Sequence, residues 1–262
     1  MVNELKHVNK DNHTEYLLCL ALDVGEGMLK SGAEVSRVED TIERICHAYG
    51  AIHVEVFSII SYIQAAIRMP DGTYSAQLRR VRSTSNNLHR LENLNSLSRE
   101  ICATTPELDV FDAKIRATKN PPKYPAWVKA LASAGGVGGF CIFFGGKVID
   151  ALVASFIGLV ISIIDNFSSK KINSMAKTVV SAFLASIIAG LSVFLNLGTN
   201  SDAVIIGAIM ILGPGLAFGT ALRDLLYGDL LAGSLKTLNA FLGALMIAFG
   251  YMLAASIMGG AI

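Results

Sequence analysis

The sequence places its most unusual chemistry at Leu212-Gly213-Pro214-Gly215, inside a long uncharged stretch. Proline in a helix interior removes one hydrogen bond and clashes with the preceding turn, and flanking glycines weaken the helix further. If the helix breaks here, Pro214 suits the first position of a new half-helix, where its missing N–H costs nothing. The amides that follow would then be unpaired, and their partial positive charge would suit an anion such as a carboxylate. Gly213, Pro214 and Gly215 are therefore the candidate substrate-binding residues. A proline kink used only for packing is the competing reading.

Just beyond lies the polar stretch Arg223-Asp224-Leu225-Leu226-Tyr227-Gly228-Asp229. Arg223 and Asp224 could close the mouth of a pathway or hold a carboxylate. An arginine snorkelling to headgroups, with the acids as helix caps, is the competing reading. For Asp229, ahead of Leu230-Leu231, the cap reading is favoured. On a continuous helix Arg223, eight residues past Gly215, lies about 12 Å farther along the axis. One small carboxylate cannot reach both, so binding is assigned to the break and gating or entry to Arg223 and Asp224. Asp165 is a third candidate, as a proton-coupling acid. An interfacial turn beside Ser168, Ser169, Lys170 and Lys171 is the reading against it.

No other pattern spells chemistry. GxGxxG, P-loop and GxSxG signatures are missing, and His7, His13, His47, His53 and His89 lack metal-ligand spacing. Cys46 and His47 are neighbours on a predicted helix and point about 100° apart, so they do not face each other as a catalytic pair. Cys19, Cys46, Cys102 and Cys141 are scattered without a CxxC. The sequence thus predicts no catalytic residue, no metal, no cofactor and no enzyme. A net charge of +1 gives no basic excess for a nucleic-acid partner.

The elements that position these residues follow from a split in composition. Residues 1–123 hold 15 Lys/Arg and 16 Asp/Glu, whereas residues 124–262 hold 7 and 5, with 19 of the 24 glycines. The first part has the charge density of a soluble domain; the second does not. Uncharged stretches at 130–146, 178–201, 203–222 and 237–262 are of membrane-spanning length. A shorter one, 151–164, lies between Asp150 and Asp165 and becomes long enough with Val148 and Ile149. Five spans are expected, at about 127–146, 148–165, 178–198, 202–222 and 234–258. Four spans plus a re-entrant segment at 151–164 are the alternative. The centre of the fourth span falls at Leu212, so the break sits at mid-depth, which favours binding over packing.

Basic residues set the orientation. Lys114, Arg116, Lys119, Lys123, Lys129, Lys170, Lys171, Lys177, Arg223 and Lys236 fall on one side, with only Lys147 on the other. The N-terminus is therefore expected in the cytoplasm of a multi-pass plasma-membrane protein, with Trp127 and Tyr124 as interfacial anchors. The short apolar run 17–24 contains Asp23 and does not read as a signal peptide. Gly135/Gly139 and Gly215/Gly219 form small-xxx-small pairs, predicting close helix packing.

In the first half, 14–30 reads as a helix interrupted by Gly25 and Gly27. A second helix over 36–49 has Ser36 and Glu39 as a capping box and Gly50 at its end. Strands at 53–57, 62–69 and 73–81 include a hairpin around Pro70-Asp71-Gly72, and 86–102 returns to helical spacing. The expected layout is a flexible tail 1–13, a cytoplasmic α/β domain 14–119, a linker 120–126 and a helical transmembrane domain 127–262.

Two stretches resemble a known family. One runs Gly32-Ala33-Glu34-Val35-Ser36-Arg37-Val38-Glu39-Asp40-Thr41-Ile42-Glu43-Arg44 and reaches Ala48-Tyr49-Gly50; the other runs from Gly213-Pro214-Gly215 through Arg223-Asp224 to Gly233. In this order they resemble the signatures of the threonine/serine exporter family. The resemblance implies an exporter of small carboxylate-bearing metabolites, driven by an ion gradient. Long members of that family fuse a second block of about five spans, so this chain looks like the larger subunit of a split type. A split pair in the family is associated with succinate, which leaves a hydroxy amino acid or a C4 dicarboxylate as substrate. The implied partners are that small-molecule carboxylate, the lipid bilayer, and a second small membrane subunit and/or further copies of the chain. The competing function is a non-transporting membrane regulator or scaffold with a cytoplasmic ligand- or partner-binding domain.

Overall fold

The computed structural model describes residues 12–82, 84–118, 124–167, 173–195, 197 and 200–258. Most of the expected tail, residues 120–123 of the expected linker, and the basic residues Lys119, Lys123, Lys170 and Lys171 lie outside the described residues. Ser168 and Ser169 do so as well. Contacts divide the chain into two compact units, one of Met1–Pro122 with Leu216–Leu238 and the other of Lys123–Gly215 with Asn239–Ile262.

The first unit is built around α1 (His13–Lys30), whose Leu17, Leu18, Leu20, Leu22, Val24 and Met28 are fully or almost fully buried. Asn12 caps its start by accepting the N–H of Glu15. The helix runs unbroken through Gly25 and Gly27, contrary to the expected interruption. Both glycines are contact points: a Cβ at Gly25 would lie 2.6 Å from the Ile42 side chain, and one at Gly27 would lie 3.0 Å from Leu94. Close helix packing, which a local pattern does not reveal, outweighs the glycine penalty here.

Helix α2 (Val35–Ala48) follows, with Tyr49 as C-cap and Gly50 beyond it at φ +91°. The expected capping box is not formed, because the helix begins at Val35 and its N-cap is Glu34. Glu39 instead accepts the backbone N–H of Ser58 at 2.6 Å, tying α2 to the sheet. Burial pushes the Glu39 carboxyl above its ordinary value.

Strands β1 (His53–Ile59), β2 (Tyr62–Arg68) and β3 (Tyr74–Arg80) form an antiparallel meander in the order β1-β2-β3. Phe57 pairs with Gln64 and Gln64 with Leu78, which fixes the register. Ile63, Ala65 and Ile67 of β2 enter the core on one face, as strand alternation requires. Helix α3 (Leu88–Thr104) buries Leu94, Leu97 and Ile101, with Asn87 accepting the N–H of Arg90 as its cap. A further helix, α4 (Leu108–Thr118), was not expected from the sequence. Its Phe111 is fully buried and stacks on Tyr49 with ring centroids 6.2 Å apart.

Among its described residues the second unit has helices and no strand. It contains α5 (Ala126–Phe143), α6 (Val148–Phe167), α7 (Ser174–Phe194), α8 (Ser201–Leu212) and the part of α10 (Leu230–Ile257) from Asn239 onward. Helices α5, α6, α7 and α10 are each long and apolar enough to cross a membrane. Helix α6 runs through 151–164 as one 20-residue helix. Among the described residues there are four candidate spans, or five if the broken pair α8 and α9 (Gly215–Leu226) is one span.

Packing in this unit uses glycines other than the two expected pairs. A Cβ at Gly158 of α6 would lie 2.6 Å from the Ser133 carbonyl of α5, and one at Gly250 of α10 would lie 2.6 Å from the Val179 carbonyl of α7. Gly207 of α8 meets the α5 backbone at Val137 and Cys141 in the same way. Among the described residues nothing lies within 4 Å of a Cβ placed at Gly135, Gly139, Gly215 or Gly219, so neither small-xxx-small pair packs against a described neighbour. The spacing identifies a smooth helix face but not whether a neighbour occupies it. Asp150, fully buried at the start of α6, accepts backbone N–H groups from Lys147 at 2.9 Å and from Asn200 at 3.3 Å.

Candidate functional site: a broken helix and a carboxylate-capped junction

Helix α8 ends at Leu212 and Gly213, its C-cap, is extended at φ −63° and ψ 143°. The N–H of Gly213 still closes the last turn on Ile209. Helix α9 begins at Gly215, so Pro214 stands immediately before it, one residue earlier than the position expected for it. The sequence thus produces a break where a proline cannot donate and two glycines offer no side chain to hold the helix. Among the described residues Gly215 has no neighbour within 4 Å of a Cβ placed on it, and Gly243 of α10 approaches the Pro214 ring.

Arg223 and Asp224 follow on the last turns of α9, inside the first unit. They are adjacent in sequence yet take different partners. Arg223 forms an ion pair with Glu34 and keeps much of its side chain in solvent. Asp224 is 0% exposed; one of its oxygens accepts the N–H of Val35 at 3.2 Å and the other meets the Lys236 ammonium at 2.6 Å. Lys236 also donates to the Ala33 carbonyl at 3.1 Å.

The turn between α9 and α10 completes the junction. Gly228 adopts φ +92°, a left-handed conformation that glycine accepts at little cost, and turns the chain so that Asp229 donates its N–H back to the Asp224 carbonyl. The Asp229 carboxylate accepts the N–H of Ser36. The first two amides of α2 are therefore satisfied by two acids from the far end of the sequence, where negative charge also suits the helix dipole. Asp229 was expected to cap the helix that follows it, but its carboxylate serves α2 instead. Burial, and then the neighbouring Asp224 charge, push the Asp229 carboxyl above its ordinary value.

The structure thus brings Arg223 and Asp224 to one place but adds three groups that the sequence did not single out: Glu34, the Val35 amide and Lys236. Lys236 is the only cation in α10, which was the available signal. Asp165 stands apart near the end of α6, its side chain 81% exposed and 3.8 Å from Lys177. Among the described residues no group of three or more His, Cys, Asp or Glu is placed to hold a metal ion.

The family described as "Putative threonine/serine exporter" matches residues 19–258, which include both the α2 start and the break. A curated relative, the "Probable threonine/serine exporter" of Mycobacterium tuberculosis (strain ATCC 25618 / H37Rv), is 25% identical over 224 residues. The match covers 84% of this chain but 42% of the relative, so the chain spans less than half of that protein's length. No solved structure matches. With a match that runs through nearly all of its helices, the chain belongs to the threonine/serine exporter family.

Proposed function

We propose that the chain is a subunit of a secondary-active exporter of small carboxylate metabolites, either hydroxy amino acids such as threonine and serine or a C4 dicarboxylate such as succinate. The break between α8 and α9, within the family match, carries this reading. A discontinuous helix in a membrane protein leaves amides whose dipoles suit a carboxylate. Gly213, Pro214 and Gly215 are assigned to substrate, Arg223 and Asp224 to gating at the cytoplasmic mouth, and Asp165 to ion coupling.

The gating assignment rests on how α9 is held. Arg223–Glu34 is partly solvated and weak enough to exchange, whereas Asp224–Lys236 is buried and costly to break. The α9 segment is then anchored by one pair and released or retained by the other. A cytoplasmic first unit fits the excess of basic residues on its side of the spans. A second small membrane subunit, or further copies of this chain, are the partners that this reading assigns to it.

Counterflow of labelled threonine, serine and succinate in proteoliposomes tests the function, with the chain alone and with a small membrane protein encoded beside it. Accumulation of any of the three supports the exporter reading and names the substrate. No uptake in either preparation would favour a regulator or scaffold instead.

A further inference from the structure

Helices α2 and α3 of the first unit enclose a groove of about 420 Å³ that no step above uses. That volume is within the range of small-molecule sites. Its walls are two helix faces at matching spacing. Arg37, Asp40, Thr41 and Arg44 fall at i, i+3, i+4 and i+7 on α2; Ser98 and Arg99, one turn before Cys102, face them from α3.

The charges in this groove do not cancel. Arg44 is neutralised by Asp40, with Nε 2.8 Å from a carboxylate oxygen. Among the described residues neither Arg37 nor Arg99 pairs with a carboxylate; Arg99 donates only to the Ser96 hydroxyl at 3.0 Å. Two guanidinium groups remain, and each is built to grip a carboxylate or phosphate through two parallel hydrogen bonds. The Thr41 and Ser98 hydroxyls donate to the Arg37 and Asn95 carbonyls, so the two guanidinium groups are the donors left for a bound anion.

We propose that this groove binds a small dianionic metabolite, a dicarboxylate or a phosphate ester, through the guanidinium groups of Arg37 and Arg99. The site is separate from the helix break. Its ligand would be read by α2, the same helix whose first turn holds Asp224 and Asp229. Arg37 lies three residues from Glu34, the partner of Arg223. Occupancy of the groove therefore bears on the helix that fastens the α9 segment, as expected of a regulatory site.

Isothermal titration of the purified full chain with succinate and with inorganic phosphate tests this, with zwitterionic threonine as a control that carries no net charge. At least one dianion should bind, more weakly as salt rises. Affinity should fall at least tenfold in the R37A/R99A double variant and several-fold in R37Q or R99Q, exposed substitutions whose thermal unfolding should match the parent. Succinate alone binding would identify a carboxylate ligand; phosphate alone, a phosphorylated one. Neither anion binding, or unchanged affinity in the double variant, would overturn the proposal. A chain with alanines at 213–215 keeps the groove intact and should still bind the dianion even if export is lost.

Discussion

Asp224 accepts the backbone N–H of Val35 across 189 residues of sequence, joining the second helical signature to the first. The same carboxylate meets Lys236, so a single buried charge fastens the α9 segment both to the start of α2 and to the start of α10. Removing one partner strands the other charge in the interior, at a cost of about 3–5 kcal/mol. Asp224→Ala should therefore lower the unfolding midpoint markedly. A D224N/K236M double variant should recover part of that loss, because both buried charges are then gone. Thermal unfolding of the detergent-purified chain measures each, and equal stability of D224A and the parent would contradict the role assigned to the pair.

Replacing Gly213, Pro214 and Gly215 together with alanine should allow α8 to continue into α9. Export should be abolished while membrane abundance stays near the parent level. Normal export by that variant would reduce the break to a packing feature.

Arg223→Ala removes the solvated pair with Glu34 and leaves the break untouched. Turnover should fall several-fold with little change in the substrate concentration giving half-maximal rate. Glu34→Ala should behave similarly if the pair, rather than the arginine alone, sets the rate.

Stability should depend on pH through Asp229 and Glu39, both of which bind a proton more readily in the folded chain than in the unfolded one. Their contribution is fully present below the ordinary carboxylate pKa and is lost as pH rises through the elevated folded values. Asp229→Asn should flatten the decline in unfolding midpoint over that window, with the remaining slope carried by Glu39. An unchanged slope would show that Asp229 does not titrate differently on folding.

A Cβ at Gly158 meets backbone, whereas one at Gly135 meets none of the described residues within 4 Å. Gly158→Ala should destabilise the helical unit by about 1–3 kcal/mol, and Gly135→Ala should leave its unfolding midpoint nearly unchanged. If Gly135→Ala instead disrupts a purified oligomer, that open face is where copies meet.

Local signals recovered much of the architecture. The β-hairpin at Asp71-Gly72, the helix stop at Gly50 and the long apolar helices each arise from rules that operate within a few residues. The broken helix did too, because proline between glycines acts on its own turn. Local pattern misleads where the decisive partner is remote. Ser36 and Glu39 have the spacing of a capping box, yet Asp224 and Asp229 take over the α2 amides and Ser58 takes Glu39. Gly25 and Gly27 looked like helix interruptions because Ile42 and Leu94, which need the room, lie on other helices. Helix α4 escapes a local reading because Pro106 and the prolines after it signal an end of structure, while Phe111 carries the contrary signal.

The first unit is discontinuous in sequence: residues 216–238 belong with residues before 123, and α5 to α8 are made in between. On the ribosome, α2 is therefore synthesised long before the carboxylates that satisfy its first amides. The N-terminal segment must wait with an unfinished helix end while the apolar helices emerge and insert, and it closes only after Lys236 has been made. Completion of the first unit is thereby a late event in synthesis, conditional on the preceding helices having been threaded.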